Sequence, residues 1–237
     1  MPAKRARRRI LHTSDIHLDR PGDTPSRCLE KLVDVAIERE VDLVLIAGDL
    51  FDHNRIGEKV FGATLAQLRR LSVPLVILPG NHDCLIPEAV LGRPEFREND
   101  GIYVIDSPDG EILDMPSLGL SFWGRSLSSY EADIRPLAGL PAPPRRDRWN
   151  IVVAHGYHAN GSSPPLRGLI ISDEDIAASA LWDYVALGHI PVFRCVSPER
   201  PVAYYSGSAS VVGTAVLVEF AEGTGARVTS VSCRGQE

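Results

Sequence analysis

The apolar residues of this chain come in short unbroken runs, and each run stops at a small polar cluster. Leu43-Val44-Leu45-Ile46, Pro74 to Leu78, Ile151-Val152-Val153-Ala154 and Tyr184 to Leu187 lack the polar alternation of a half-exposed strand. They are too short for helices, so they read as strands covered on both faces. Ile10 to Ser14 is a further short strand. Pro25 to Glu40 instead spaces Leu29, Leu32, Val33, Ala36 and Ile37 along one helical face, and Glu58 to Leu71 does the same with Val60, Phe61, Leu65, Leu68 and Leu71. Strand, helix, strand, helix, strand is the rhythm of a parallel sheet under covering helices.

From Gly101 the texture changes. Ile102-Tyr103-Val104-Ile105, Glu111 to Leu113 and Leu118 to Trp123 read as short strands broken by Gly, Pro and Asp, and Pro136 to Asp147 as a surface loop. Asp173 to Ala180 is a short helix with Ser172 as its N-cap. Val202 to Tyr205, Thr214 to Phe220 and Arg227 to Val231 add three strands. Two packed sheets with helices outside is the expected architecture, in a single domain over residues 10–237. Residues 1–9, with Lys4, Arg5, Arg7, Arg8 and Arg9, are expected to be a basic disordered tail; a phosphate-contacting arm is the alternative. No apolar segment follows these charges, as a signal peptide requires, and no stretch is long enough to span a membrane. Cys28, Cys84, Cys195 and Cys233 are scattered without metal-site spacing, which fits reduced thiols in a cytoplasm. A net charge of −6 argues against a chain permanently coated with nucleic acid, but not against a nuclease with a local basic patch.

The polar clusters are Asp15-Ile16-His17, Gly48-Asp49-Leu50-Phe51-Asp52, Gly80-Asn81-His82-Asp83, His155-Gly156 and Gly188-His189. Carboxylates, imidazoles and one amide are donors that divalent metals select, and ligands collect at the carboxyl ends of strands in such sheets. Asp15 and His17, two apart on an extended segment, point the same way. A carboxylate at Asp49 is costly to desolvate without a cation or donors, and its two oxygens suit a pair of metals. Asp52, with His53 beside it, is expected to support the site by orienting a ligand such as His17. Asn81 is a neutral oxygen donor that suits manganese or iron. His82 is the natural acid, with Asp83 expected to hold its imidazole in one tautomer. His155 and His189 end buried strands, where a ligand role is geometrically easy. Each residue alone also fits a plain structural role.

Taken jointly, the order DxH, GDxxD, GNHD, H and GH resembles the calcineurin-like metallophosphoesterase superfamily. The strings Leu11 to Leu18, Leu45 to Asp52, Leu78 to Asp83, Tyr184 to Ile190 and Tyr205-Ser206-Gly207-Ser208 are most similar to its SbcD/Mre11 nuclease branch. The resemblance implies a four-layer αββα sandwich of two mixed sheets flanked by helices. It implies two divalent metal ions, with manganese expected and iron, zinc or cobalt as alternatives. Asp15 and His17 would hold the first ion, Asp49 both, and Asn81, His155 and His189 the second. His82 would serve as general acid while a metal-activated hydroxide attacks phosphorus. The implied partner is a phosphoester substrate, with DNA a candidate. No membrane partner is expected, and the oligomeric state is open, a dimer included.

The sequence departs from the family at Gly188-His189-Ile190-Pro191, where the second histidine of GHxH is replaced by proline. A first site lacking that ligand is expected to be the weaker one, with His158 as a candidate replacement. Weaker binding, a one-metal enzyme and a non-catalytic single-metal module all remain open. The family nucleases also carry a DNA-capping domain after the core, and this sequence stops shortly after its own. A small-molecule phosphodiesterase or phosphatase is therefore the alternative to a nuclease. The absence of a Val-Asp-Arg-Gly run and the Asp after Gly-Asn-His argue against a phosphoprotein phosphatase.

Overall fold

The unbroken apolar runs are divided by the two-residue period of a strand between separate cores. In the computed structural model, residues 5–130, 133–159, 161 and 168–233 are described. The first sheet draws on β1 (Arg8–Thr13), β2 (Leu43–Ala47), β3 (Leu75–Leu78) and β4 (Ile102–Val104), with helices α1 (Thr24–Glu38), α2 (Glu58–Leu68) and α3 (Pro94–Arg97) between them. There follow β5 (Glu111–Met115), β6 (Leu120–Gly124), β7 (Trp149–His155), the short β8 (Tyr157–His158) and β9 (Ile170–Ile171), α4 (Asp173–Ala178), β10 (Tyr184–Gly188), β11 (Phe193–Ser197), β12 (Val202–Ser206), β13 (Thr214–Ala221) and β14 (Gly225–Ser232). One six-stranded sheet has the order β14-β13-β1-β2-β3-β4 and the other β11-β12-β10-β7-β6-β5. The central neighbours β1–β2–β3 and β6–β7–β10–β12 are parallel, and the flanking pairs β13–β1 and β5–β6 are antiparallel. Both sheets are therefore mixed.

Leu43, Leu45 and Ala47 of β2 meet Ile151 and Val153 of β7 between the sheets. The alternate residues Val44 and Ile46 pack under α1 and α2 against Leu29, Leu32, Val33, Phe61 and Leu65. Val152 and Ala154 face the opposite outer layer with Ile176 of α4 and Trp182. Every position of these two strands is buried, as the unbroken apolar runs require. Asp23 caps α1 by accepting from the Ser26 N–H at 2.9 Å, and Ser172 with Asp175 forms a capping box on α4. Ile37, expected on the buried face of α1, is 48 % exposed near its carboxyl end.

Two expectations are corrected. The basic segment is not disordered from Arg5 onward. Arg8 and Arg9 belong to β1, paired with Phe220 and Glu219 of β13, and Arg5 lies 3.0 Å from Asp183 with its guanidinium over the Trp149 ring. Backbone pairing and burial of the arginine stems hold these residues; Met1 to Lys4 lie outside the described residues. The edge strand β11 was not expected; Phe193-Arg194-Cys195-Val196-Ser197 is half-exposed and lacks the unbroken apolar run of the inner strands. Among the described residues, no helix is long and apolar enough to cross a membrane.

His12 lies in β1 between the sheets, wholly buried, with Nδ1 3.0 Å from the Tyr184 hydroxyl. Burial lowers its pKa to about 3. An unfolded chain takes up a proton at this residue below pH 6.5, and the folded one does not until far lower. Stability is thus lost as pH falls from about 6.5. By pH 5 the loss is about 2 kcal/mol, from roughly 1.5 pH units at 1.36 kcal/mol each. Denaturant titrations at pH 7.5 and pH 5 check this: His12→Gln should narrow the gap between the two pH values by about that amount. An unchanged gap would place the acid sensitivity elsewhere.

Candidate metal centre

The five clusters converge because β1, β2, β3, β7 and β10 all deliver their carboxyl ends to one edge of the sandwich. The approach is close. A Cβ on Gly48 would run into the His155 ring, one on Gly80 into the Asp49 carboxylate, and one on Gly188 into the Ala47 carbonyl. Among the described residues, six non-glycine residues have positive φ, and four are candidate ligands: Asp15 (54°), His17 (56°), Asp49 (54°) and His189 (92°). Such conformations each cost on the order of 1–3 kcal/mol and persist only where the surroundings impose them. The chain turns sharply at each strand end, which aims the donor side chains inward.

Asp49 is the centre of the arrangement. It is 2 % exposed, and its Oδ2 lies 3.2 Å from His155 Nε2 and 3.9 Å from His17 Nε2. Its Oδ1 accepts from the His82 backbone N–H at 2.9 Å. Two groups of donor atoms, each within 4.8 Å of one another, share it: His17, Asp49 and His82, and Asp49, His155 and His189. Asn81 Oδ1 joins the second group, 3.0 Å from His155 Nε2 and 3.1 Å from His189 Nδ1. Asp15 belongs to neither group. Its Oδ2 accepts from the Ser14 hydroxyl and from the His189 N–H at 3.0 Å, so it also anchors the turn that carries His189.

The buried groups compensate one another electrostatically. Burial opposes ionisation of Asp49, but the charge and hydrogen bond of His155, with the His82 N–H, hold its carboxyl below the usual range. Burial would likewise lower His155, yet Asp49 pushes it up to about 9. Burial and then His155 keep His189 below the ordinary histidine value. Mixed carboxylate, imidazole and amide donors around one shared buried carboxylate fit divalent cations. Such an ion would take over the compensation that His155 and Asp49 give each other.

Neighbouring groups fix the donors. Asp52 Oδ1 lies 3.0 Å from His17 Nδ1, and the Ala47 carbonyl accepts from His155 Nδ1 at 2.9 Å. Three expectations fail here. Asp83 does not orient His82: it accepts from Gly80 N at 2.8 Å and Phe51 N at 3.1 Å, bracing the loop from beneath. Burial, then the Asp49 charge, pushes its carboxyl up to about 7. The His82 imidazole instead places Nδ1 2.8 Å from the Asp52 carbonyl. His53 turns away to Asp19, 3.2 Å from its Nε2. His158 is not the replacement ligand, since Asp173 holds its Nε2 at 2.9 Å. Sequence reasoning missed Ser14, Ser206 and Ser208. Ser14 lies 3.0 Å from Ser206, and Ser208 donates to the Asp15 carbonyl at 2.5 Å. The Tyr205-Ser206-Gly207-Ser208 string was the available signal.

A two-sheet sandwich that gathers oxygen and nitrogen donors at a shared strand edge is suited to hold divalent cations. The chain belongs to the calcineurin-like phosphoesterase family, whose pattern it matches over residues 8–210. It is 28 % identical over 242 residues to the SbcD component of nuclease SbcCD from Bacillus subtilis (strain 168), covering 84 % of this chain and 61 % of the relative. It is 26 % identical over 223 residues to the uncharacterized metallophosphoesterase YhaO of the same organism, covering 84 % and 52 %. Over 116 residues it is 30 % identical to the DNA double-strand break repair protein Mre11 of Sulfurisphaera tokodaii, covering 42 % and 29 %. The chain thus spans between half and two thirds of the length of the first two relatives. In fold it is similar to TT1561 of Thermus thermophilus, with TM-score 0.63, 14 % identity, and 97 % and 100 % of the two chains covered. The purple acid phosphatase PPD1 of yellow lupin follows at TM-score 0.53 and 14 % identity, covering 98 % and 55 %.

Proposed function

We propose that this protein hydrolyses phosphodiester bonds with two divalent metal ions, manganese by preference, held about Asp49. The observation that carries the reading is the membership of Asp49 in both donor groups. When bound, the ions supply Lewis acidity and a water of lowered pKa. His17, Asp49, Asn81, His155 and His189 hold them, and Asp15 completes the first set and positions His189. Asp52 fixes the His17 and His82 rings, and the His82 side chain is 41 % exposed, facing solvent where a substrate arrives. Its Nε2, on the ring edge away from the Asp52 carbonyl, donates a proton to the leaving oxygen.

DNA is the narrower substrate proposal, supported by relatives named as nucleases. An assay of the metal-loaded protein on bis-p-nitrophenyl phosphate, p-nitrophenyl phosphate and single-stranded and duplex DNA tests both levels. We expect diester turnover to exceed monoester turnover by about tenfold or more, a difference of about 1.4 kcal/mol. Cleavage of the small diester without DNA cutting would assign a small-molecule phosphodiesterase. Bound metal with no turnover of any of these would assign a non-catalytic module.

A further inference from the structure

The first metal's donor set, as the sequence lays it out, is short of an imidazole at Pro191, and the folded chain places a different imidazole, that of His82, beside His17 and Asp49. His17, Asp49 and His82 converge within 4.8 Å of one another, and the His17 and His82 rings meet edge to face with centroids 4.6 Å apart. Both rings are held by one residue. His17 Nδ1 faces the Asp52 carboxylate at 3.0 Å and His82 Nδ1 faces the Asp52 carbonyl at 2.8 Å. A carbonyl only accepts, and an ionised carboxylate only accepts, so both Nδ1 atoms carry the proton. Each ring is thereby left with its lone pair on Nε2. A ring N–H fixed by a carbonyl or carboxylate, with the other nitrogen free, is the arrangement that prepares a histidine to bind a metal. The His82 backbone N–H also donates to Asp49 Oδ1, tying the loop to the shared carboxylate.

We infer that His82 is a ligand of the first metal in the resting protein, filling the position that Pro191 leaves open. The inference rests on the two-metal reading above. His82 then serves twice. It closes the first donor set in the absence of substrate; when a phosphate oxygen takes its place, the freed Nε2 takes up a proton from solvent, and the resulting imidazolium passes that proton to the leaving oxygen. Proline at residue 191 cannot contribute a donor, so the dual role belongs to this chain's own substitution.

Calorimetric titration of metal-stripped protein with Mn²⁺ tests it, independently of turnover. Wild type is expected to bind two ions. His82→Ala should weaken one of the two by tenfold or more and leave the other unchanged, because loss of even an orienting partner costs about 10- to 100-fold. Pro191→His added to His82→Ala should restore the weakened site. Two ions at wild-type affinity in His82→Ala would overturn the inference and leave the phosphoesterase reading standing. A double variant that stays weak would overturn it as well, assigning the loss to loop damage. A wild type that binds no Mn²⁺ would overturn both.

Discussion

Asp49→Asn is expected to lower Mn²⁺-dependent phosphodiester hydrolysis by about 10³-fold, corresponding to about 4 kcal/mol of lost transition-state stabilisation. The substitution is nearly isosteric. Asparagine retains an oxygen for the His82 N–H, so the loop Gly80 to Asp83 keeps its anchor. What disappears is the negative charge shared by the two donor groups, and with it the partner that raises His155. Both ions should bind more weakly, unlike the outcome for a residue at one site only. Steady-state kinetics with a Mn²⁺ binding isotherm on the same sample separates the two effects. Near-wild-type activity would remove Asp49 from the centre of the site.

His82→Gln, measured at saturating Mn²⁺, should lower kcat by about 10²- to 10⁴-fold on a diester with an alkoxide leaving group. The loss should shrink on bis-p-nitrophenyl phosphate, because p-nitrophenolate leaves without help from a proton. That dependence on the leaving group distinguishes a proton donor from a residue that only binds substrate. A ring held by the Asp52 carbonyl on a side chain that is 41 % exposed has the geometry for this role. Equal losses on both substrates would assign His82 to binding alone.

The layers were legible because full burial on both faces leaves unbroken apolar runs such as Leu43 to Ile46, and helical spacing marks α1 and α2. The placement of the clusters was legible for a related reason: each polar group follows the end of such a run. Their internal geometry was not. Asp83 adjoins His82 in sequence but is drawn beneath the loop by the Gly80 and Phe51 amides, while the Asp52 carbonyl takes the histidine. His53 adjoins Asp52 yet turns to Asp19. Residue spacing also does not reveal the left-handed turns at Asp15, His17, Asp49 and His189. The role of Gly188 is likewise hidden in its own neighbourhood, since the atom it must clear is the Ala47 carbonyl on the other sheet. The serines around Asp15 come together from the turn after β1 and from the end of β12 with the segment that follows it, in contacts between residues 192 and 193 positions apart in sequence.

In the proposed reaction, two ions held about the buried Asp49 carboxylate carry out hydrolysis. Titration of the metal-stripped protein with Mn²⁺, read as the initial rate on bis-p-nitrophenyl phosphate, tests it most directly. The rate should start at background, rise with added metal and level off after two equivalents. A rate that is unaffected by stripping and re-addition, or that stays at background at every Mn²⁺ concentration, would contradict it.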